Sequence, residues 1–196
     1  RPPQNLGGKD RPFSVGYLGR LVPEKGIDLI LNAAKELKDK GLEFKIVIGG
    51  SGPEEEALRQ LADQLQIADR TAWLGPYPYK DVPLAISEMD VLVLPSRTVP
   101  GKWKEQFGHV LVEAMAMRVA VIGSSSGSIP GVIGNSDQVF PENDSHGLAS
   151  ILEKMITDKA WSDRKSQQGW DRVRQEFSHE AVAKKMISIW ERIGRK

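Results

Sequence analysis

The sequence predicts an α/β domain with a doubly wound parallel sheet and helices on both faces, and three observations support this fold class. Four short apolar runs are nearly continuous and rich in β-branched residues, as in strands buried on both faces: residues 13–19, 44–50, 91–96 and 119–123. Segments with apolar residues at helical spacing lie between these runs. Strands and helices alternate along the whole chain, which is the order that produces a parallel sheet.

The remaining elements follow from weaker signals. Two shorter strands are predicted at residues 71–74 and 138–140, so the sheet has about six strands. Gly41 stops the first helix, and Pro53 suits a first helical position for the second. Helices are predicted around residues 27–37, 58–65, 82–89, 110–115 and 148–156, with one or two more after residue 160.

Composition excludes several classes of protein. The 196 residues include 27 Lys and Arg, 26 Asp and Glu, and no cysteine. The balanced charge argues against a dedicated nucleic-acid binder, and the lack of cysteine excludes disulfides, thiolate zinc sites and cysteine nucleophiles. No apolar run approaches about 18 residues and no signal peptide is recognised, so a cytoplasmic protein is expected. Residues 1–12 are expected to be an interdomain linker, with one domain over residues 13–196 excised from a longer protein.

The loop 19–26 is the first candidate site, because ligands of such folds bind beyond the carboxyl ends of the strands. Arg20 and Lys25 lie five positions apart in it, between a strand and the start of a helix, where backbone N–H groups favour anions. The fork of an arginine and the point charge of a lysine together suit a diphosphate. A surface turn with two solvated charges explains the same residues equally well.

The second candidate is the glycine-rich turn 49–53, which is followed by three glutamates. Glycines let the backbone approach a ligand closely, whereas glutamates in a first helical turn would repel phosphate. The turn therefore suits a flat group, such as a base or ribose, and a tight, well-capped connection between strand and helix is the alternative. The GxGxxG dinucleotide fingerprint does not occur in the sequence.

Glu105 and Glu113 form the third candidate, with seven residues between them. Gly108 is predicted to open a helix, so Glu105 precedes the helix and Glu113 lies on its second turn. Eight helical residues span roughly 12 Å. Glycosidase carboxylates lie about 5–9.5 Å apart, so this pair suits one extended ligand with two polyhydroxylated ends instead. Positions on a solvated surface are the alternative for both glutamates.

The fourth candidate is the small polar loop 123–130, which follows a central strand and could hold phosphate through its N–H groups. A flexible surface loop is an equally good interpretation. His109 could lie near Glu105, whereas His146 and His179 are expected at the surface, at helix starts. The sequence contains neither a metal-ligand spacing of histidines and carboxylates nor an Asp-x-Asp pair, so no metal site is predicted.

These pieces follow one order: GRxxxxKG, GxGP after a strand, WLG, DVLVLPS, two glutamates separated by seven residues, and a small-residue loop. This order resembles the C-terminal donor-binding domain of retaining glycosyltransferases of the GT-B fold, the large group 1 or family 4 type. The resemblance runs from about Phe13 to the end of the chain. It implies a Rossmann-like domain, one half of a GT-B fold. It also implies transfer of a sugar from a nucleoside diphosphate sugar, with retained anomeric configuration and no obligatory metal.

The resemblance implies roles for individual residues. Arg20 and Lys25 match the cations that neutralise the leaving diphosphate, and Glu105 matches the glutamate that contacts the donor sugar, so these three are the candidate catalytic residues. Glu113 matches the glutamate that holds the ribose hydroxyls. The other candidate donor-binding residues line the base pocket or lie beside the sugar and phosphate: Gly19, Gly50, Trp73, Leu74, Gln106, Phe107, Gly108, His109 and Val110.

The chain departs from the family in two respects. Residues 127–131 read GSIPG where family members commonly read GGxPE, so any carboxylate role there is lost. The N-terminal Rossmann-like domain that would bind the acceptor is missing from this sequence. Because the last helix would ordinarily return to that domain, part of its apolar face is expected to be exposed.

The expected partners are a nucleotide sugar and the N-terminal domain, with no cofactor. A UDP-sugar such as UDP-glucose is favoured, a GDP-sugar comes second and an ADP-sugar third. Peripheral association with the cytoplasmic face of a membrane, common among such enzymes, would run through the missing half. A GT-B epimerase and a non-catalytic nucleotide-sugar-binding module stay open as alternatives, whereas an NAD dehydrogenase is disfavoured by the missing glycine fingerprint.

Overall fold

In the part of the chain that the structure describes, six strands form one sheet, and all of their pairings are parallel. The computed structural model describes residues 11–194, except for the side chain of Tyr79. The strands are β1 (Phe13–Leu18), β2 (Phe44–Gly49), β3 (Thr71–Gly75), β4 (Val91–Leu94), β5 (Ala120–Ser124) and β6 (Val139–Phe140). Their order is β3-β2-β1-β4-β5-β6, so the predicted sheet is confirmed.

Burial explains why the central strands read as continuous apolar runs. Every residue of β4 and β5 is buried, and so are five of the six residues of β1. Helices pack around the sheet, so neither face of these strands meets water. By contrast, β2 and β3 lie toward one edge and alternate between more and less buried positions.

The predicted helices are all present, and two of them follow residue 158. None of the helices within residues 11–194 has both the length and the apolar character needed to cross a membrane. A π-helical turn, Val173–Phe177, separates the last two. The α-helices are α1 (Ile27–Asp39), α2 (Glu55–Gln64), α3 (Val82–Ser87), α4 (His109–Ala116), α5 (Ile129–Ile133), α6 (Ser145–Thr157), α7 (Lys159–Arg172) and α8 (His179–Gly194).

The start of α2 differs from the prediction. Pro53 is not its first residue, because the helix begins at Glu55. The N–H of Glu54 donates to the carbonyl of Leu21 at 3.1 Å, in the loop after β1. This contact with a neighbouring loop holds Pro53 in a turn and delays the helix.

Helix α5 has no counterpart among the predicted elements. Residues 123–130 are predicted as one polar loop, but only 125–128 form it, since β5 includes the first two residues and α5 begins at Ile129. The side chains of Ile129 and Val132 are buried. Their packing stabilises a five-residue helix whose proline and glycine conceal its periodicity in the sequence.

The sheet order reverses between β1 and β4, which lie side by side although β2 and β3 separate them in the chain. In open parallel sheets, the crevice beyond the carboxyl ends of two such strands is the usual ligand site. Here the loops that border the crevice are residues 19–26 after β1 and 95–108 after β4.

The two ends of the described chain differ in how they contact the domain. Of the predicted linker 1–12, all but Arg11 and Pro12 lie outside the described residues. The guanidinium of Arg11 binds the carboxylate of Asp90 at 2.6 and 3.0 Å, beside the start of β4.

At the C-terminal end of the described chain, the expected exposed apolar face of the last helix is confirmed. Its large exposed side chains are Val182, Met186, Ile187, Ile189, Trp190 and Ile193.

Candidate functional site

Lys25 and Glu105 form an ion pair at the crevice between β1 and β4. Lys25 Nζ lies 2.6 Å from Glu105 Oε2, and the hydroxyl of Ser96 donates to the same oxygen at 2.9 Å. The two charged residues are 80 positions apart in sequence, and the parallel pairing of β1 with β4 brings their loops together. Two of the three candidate catalytic residues are therefore in direct contact.

Glu105 is buried, with 8% of its surface exposed. Burial of a carboxylate is costly unless the charge is paired and hydrogen-bonded. Lys25 supplies the opposite charge and Ser96 a hydrogen bond, while the main-chain carbonyl of Glu105 accepts from the N–H of Ser128 at 3.0 Å. Loops after β1, β4 and β5 thus converge on this one residue.

The backbone of Arg20 lies in the loop after β1, at the same crevice. Its carbonyl accepts a hydrogen bond from the phenol of Tyr17 at 2.8 Å. Burial raises the pKa of Tyr17 well above its usual value, and the negative charge of Glu105 acts in the same direction. The phenol therefore stays protonated and keeps donating, while the Arg20 residue itself is exposed to solvent, as is Gly19.

The glycine-rich turn after β2 packs against the loop after β1. A Cβ on Gly50 would lie 1.8 Å from the carbonyl oxygen of Gly19, and the φ of Gly50 is +133°. The N–H of Gly19 in turn donates to the carbonyl of Gly49 at 3.0 Å. Position 50 therefore requires glycine because two loops of the protein come very close together there. The fold alone explains this requirement.

The segment after β3 adjoins this turn. The N–H of Gly50 donates to the carbonyl of Gly75 at 2.7 Å, next to the candidate residues Trp73 and Leu74. The ring of Trp73 is half-buried beneath the guanidinium of Arg59, 4.7 Å from the ring centroid. Leu74 is exposed. The structure thus places these candidate base-pocket residues together, at the edge of the sheet.

Helix α4 begins at the crevice, directly after Gly108, as predicted. The N–H of Leu111 donates to the carbonyl of Gly108 at 2.9 Å, while the N-terminus of the helix carries the positive end of its dipole, which favours an anion. Gln106 and His109 are exposed, whereas Phe107 and Val110 are half-buried. The ring of Phe107 packs 5.7 Å from that of Phe177 and 4.8 Å from that of His109.

Glu113 lies on the second turn of α4 and is half-buried. The predicted arrangement, in which one glutamate precedes the helix and the other follows along it, is therefore present. The remaining two histidines lie where the sequence places them, because His146 and His179 are exposed at the starts of α6 and α8. Residues 11–194 contain no group of three His, Asp or Glu side chains arranged to hold a metal ion.

Comparison with known proteins identifies the family of this chain. A family model described as glycosyl transferases group 1 matches residues 3–172. The chain belongs to this family. The six-stranded parallel sheet also matches the Rossmann-like halves of GT-B glycosyltransferases.

Individual relatives match most of this chain but only about half of their own length. The colanic acid biosynthesis glycosyltransferase WcaL of Salmonella typhimurium, so named, is 30% identical over 185 residues, 93% of this chain and 46% of the relative. A GDP-mannose-dependent mannosyltransferase of Mycolicibacterium smegmatis is 30% identical over 158 residues, 79% of this chain and 41% of the relative. The structure of Anabaena HepE in complex with UDP superposes with a TM-score of 0.79 at 22% identity, covering 92% and 49% of the two chains. The chain thus spans about half the length of the curated relatives it matches.

Three residues that contact Lys25 or Glu105 in the crevice are not among the predicted site residues. Ser96 ends the apolar run of β4 and was recognisable as the first polar residue beyond a central strand. Ser128 acts through its N–H, which the sequence does not reveal. Trp103 lies two positions before Glu105, and its ring centroid is 4.9 Å from Lys25 Nζ; no periodic pattern marks it.

Proposed function

We propose that this chain is the donor-binding half of a retaining glycosyltransferase, which transfers a hexosyl group from a nucleoside diphosphate sugar to an acceptor. Residues 13–196 form the donor domain, including the C-terminal helices. The observation that carries the proposal is the pair of Lys25 and Glu105 at the switch-point crevice, beside the N-terminus of α4. That arrangement combines a cation for phosphate with a carboxylate for sugar hydroxyls.

Departure of the diphosphate is the step that these residues assist. Negative charge builds up on the leaving phosphate as its bond to the anomeric carbon breaks, and cations fixed beforehand stabilise that charge. Lys25 and Arg20 supply the cations, and the N-terminus of α4 adds a partial positive charge. Glu105 orients the donor sugar through its hydroxyls, and retention of configuration rests on the family resemblance.

The second glutamate extends the site along α4. Glu113 lies about 6 Å of helix rise beyond the first residue of α4, whereas Glu105 precedes the helix, so the two carboxylates are offset along the site and suit the two ends of one donor molecule. We assign Glu113 to the ribose hydroxyls, with Gly50, Trp73 and Leu74 lining the base pocket. The half-buried position of Glu113 on α4 supports this assignment.

The acceptor belongs to a second, N-terminal domain in this proposal. The chain spans about half of its relatives, and helix α8 leaves a row of large apolar side chains exposed, including Met186, Trp190 and Ile193. Exposed apolar patches on this scale mark interaction surfaces. We propose that the N-terminal domain covers this face and completes the cleft, and that any contact with a membrane surface runs through that domain.

The base is proposed to be uracil. A UDP-bound neighbour has the same fold, whereas a relative named for GDP-mannose makes guanine the second choice. ADP comes third. The hexose is proposed to be glucose-like.

Calorimetric titration of the 196-residue chain with UDP, GDP and ADP tests the proposal. One nucleotide is expected to bind, and Arg20→Ala and Glu113→Ala are each expected to weaken it at least tenfold. Arg164→Ala and Glu191→Ala, at exposed positions of α7 and α8, are matched controls that should change nothing. Failure of all three nucleotides to bind contradicts a donor-binding half, while binding that is insensitive to both site variants contradicts the site assignment.

A further inference from the structure

Trp103 lies in a hairpin turn between β4 and α4, residues 97–104. Val99 and Trp103 pair in antiparallel fashion: the N–H of Val99 donates to the Trp103 carbonyl at 2.7 Å, and the N–H of Trp103 donates back at 2.9 Å. At the base of the turn, the guanidinium of Arg97 binds both carboxylate oxygens of Asp28 at 2.7 and 2.5 Å. The turn is therefore anchored to α1, directly behind the loop that carries Lys25.

A second tie fixes the turn from the other side. The hydroxyl of Thr98 donates to Glu142 at 2.6 Å and lies 3.0 Å from the hydroxyl of Ser126. These partners follow β6 and β5. Trp103 thus projects from a turn held on both sides of the crevice, and its position does not depend on the pairing with Lys25.

The ammonium of Lys25 lies between a carboxylate and an aromatic ring. Glu105 Oε2 is 2.6 Å away, and the ring centroid of Trp103 is 4.9 Å away. Indole is the most favourable aromatic partner for a cation. A lysine side chain on its flexible four-carbon stem would otherwise sample many positions.

We propose that Trp103 is a positioning residue, which holds the Lys25 ammonium where it meets the terminal phosphate of a nucleoside diphosphate. This inference rests on the proposed function and adds a residue to it. A carboxylate neutralises the ammonium it binds, so the Lys25–Glu105 pair alone offers little net charge to a phosphate. The indole ring attracts the cation through its quadrupole and carries no charge of its own. When Glu105 turns to the hydroxyls of the sugar, Trp103 keeps Lys25 in place with its charge available.

The competing explanation is that Trp103 only packs the hairpin. In that case its loss would disturb the whole crevice and weaken every ligand alike. A ligand pair that differs only in the terminal phosphate separates the two explanations, because only the diphosphate reaches Lys25.

The test compares Trp103→Leu and Trp103→Phe in the 196-residue chain, by calorimetry with UMP against UDP and with GMP against GDP. Trp103→Leu is expected to weaken the diphosphate about 3- to 30-fold and the monophosphate less than twofold, and Trp103→Phe to recover most of the loss. In a Lys25→Met background, Trp103→Leu should have no further effect on the diphosphate. Equal weakening of both ligands, or an undiminished effect in the Lys25→Met background, overturns the positioning role.

A measurement without nucleotide tests the positioning role of Trp103 independently of the proposed donor-binding function. In the NMR spectrum of the free chain, the ε-methylene protons of Lys25 should be shifted upfield by the indole ring, and Trp103→Leu should abolish that shift. A wild-type spectrum without the shift overturns the inference. If the wild-type chain binds none of the diphosphates, the proposed function fails, and the positioning role fails with it. If it binds UDP or GDP but Trp103→Leu does not weaken that binding, only the positioning role fails.

Discussion

The carbonyl oxygen of Glu105 occupies the space that a side chain on Gly127 would need. A Cβ at residue 127 would lie 2.0 Å from this oxygen, and the φ of Gly127 is +53°. The next residue, Ser128, donates its N–H to the same oxygen at 3.0 Å. The loop after β5 therefore supports Glu105 from behind and has no room for any residue but glycine at this point.

Gly127→Ala is expected to displace Glu105 and weaken nucleotide binding together with stability. The left-handed backbone and the clash together cost about 1–3 kcal/mol of unfolding free energy. Urea unfolding and calorimetry with the preferred nucleotide measure the two effects.

Gly131→Ala is the matched control for this change, because nothing lies within 4 Å of a Cβ there and the residue belongs to α5. Alanine at this helical position should be neutral or stabilising, by up to about 1 kcal/mol. Equal stability and equal nucleotide affinity of the two alanine variants would show that the close contact between Gly127 and Glu105 does not affect either property.

Removal of Lys25 is expected to destabilise the chain through the carboxylate that it leaves behind. The side chains of Lys25 and Glu105 are 19% and 10% exposed, so Lys25→Met strands a buried charge and costs about 1–3 kcal/mol. Adding Glu105→Gln removes that charge and should recover most of the loss. Unfolding free energies of the four proteins of this double-mutant cycle provide the measurement.

The exposed pair of Lys159 and Asp163, 69% and 65% exposed, is the reference for the cycle. Lys159→Met should change stability by less than about 0.5 kcal/mol, because exposed ion pairs contribute little. A Lys25→Met/Glu105→Gln protein no more stable than Lys25→Met would contradict the stranded-charge explanation.

Tyr17 is expected to make stability depend on pH in alkaline solution. Burial raises the pKa of its phenol in the folded chain, whereas the unfolded chain loses this proton near pH 10. The contribution of Tyr17 is therefore fully present below about pH 10 and is lost above it, by about 1.4 kcal/mol per pH unit, until the phenol also ionises in the folded chain.

Comparison of wild type with Tyr17→Phe isolates this contribution. Phenylalanine removes the hydrogen bond to the Arg20 carbonyl, so the wild type should be more stable by about 1 kcal/mol at pH 8. The advantage should shrink as denaturant unfolding is repeated toward pH 11. An advantage that stays constant over this range would contradict the role of burial.

Helix α8 is expected to promote self-association of the isolated chain. Trp190 and Ile193 are 65% and 64% exposed, so replacing both by serine should alter stability by less than about 0.5 kcal/mol. The same change should reduce concentration-dependent association in sedimentation velocity runs, whereas Glu191→Ser, at an exposed position between them, should not. If the double variant still self-associates, the surface responsible for association lies outside these two residues of α8.

The sheet and most helices could be predicted because burial on both faces leaves a direct trace in the sequence. The four apolar runs became the four long or central strands, and regular helical spacing marked α1 and α6. Helix α5 left no such trace, since its stability comes from the contact of Ile129 and Val132 with the sheet while its proline and glycine suggest a loop.

The candidate site was predictable only to the level of loops. Parallel pairing implied that the loops of Lys25 and Glu105 share one edge of the sheet, but their direct contact depends on side-chain reach. The contact between Trp103 and Lys25 depends on the hairpin built by Val99 and on its ties to Asp28. At Gly50 the structure adds a requirement that the sequence does not reveal, because a Cβ there would meet the carbonyl oxygen of Gly19 in the neighbouring loop.

The pairing of β1 with β4 affects the order in which parts of the protein fold. Ser14 and Asp90, bonded through the N–H of one and the carboxylate of the other at 2.8 Å, are 76 positions apart, so closing this contact organises a long intervening loop at an entropic cost. Non-local parallel pairings of this kind form slowly. During synthesis on the ribosome, the loop that contains Lys25 emerges long before Glu105. A nascent chain that ends before residue 105 therefore contains Lys25 without the carboxylate that pairs with it. The crevice is therefore a late product of folding, and ligand binding reports completion of the central strand pair.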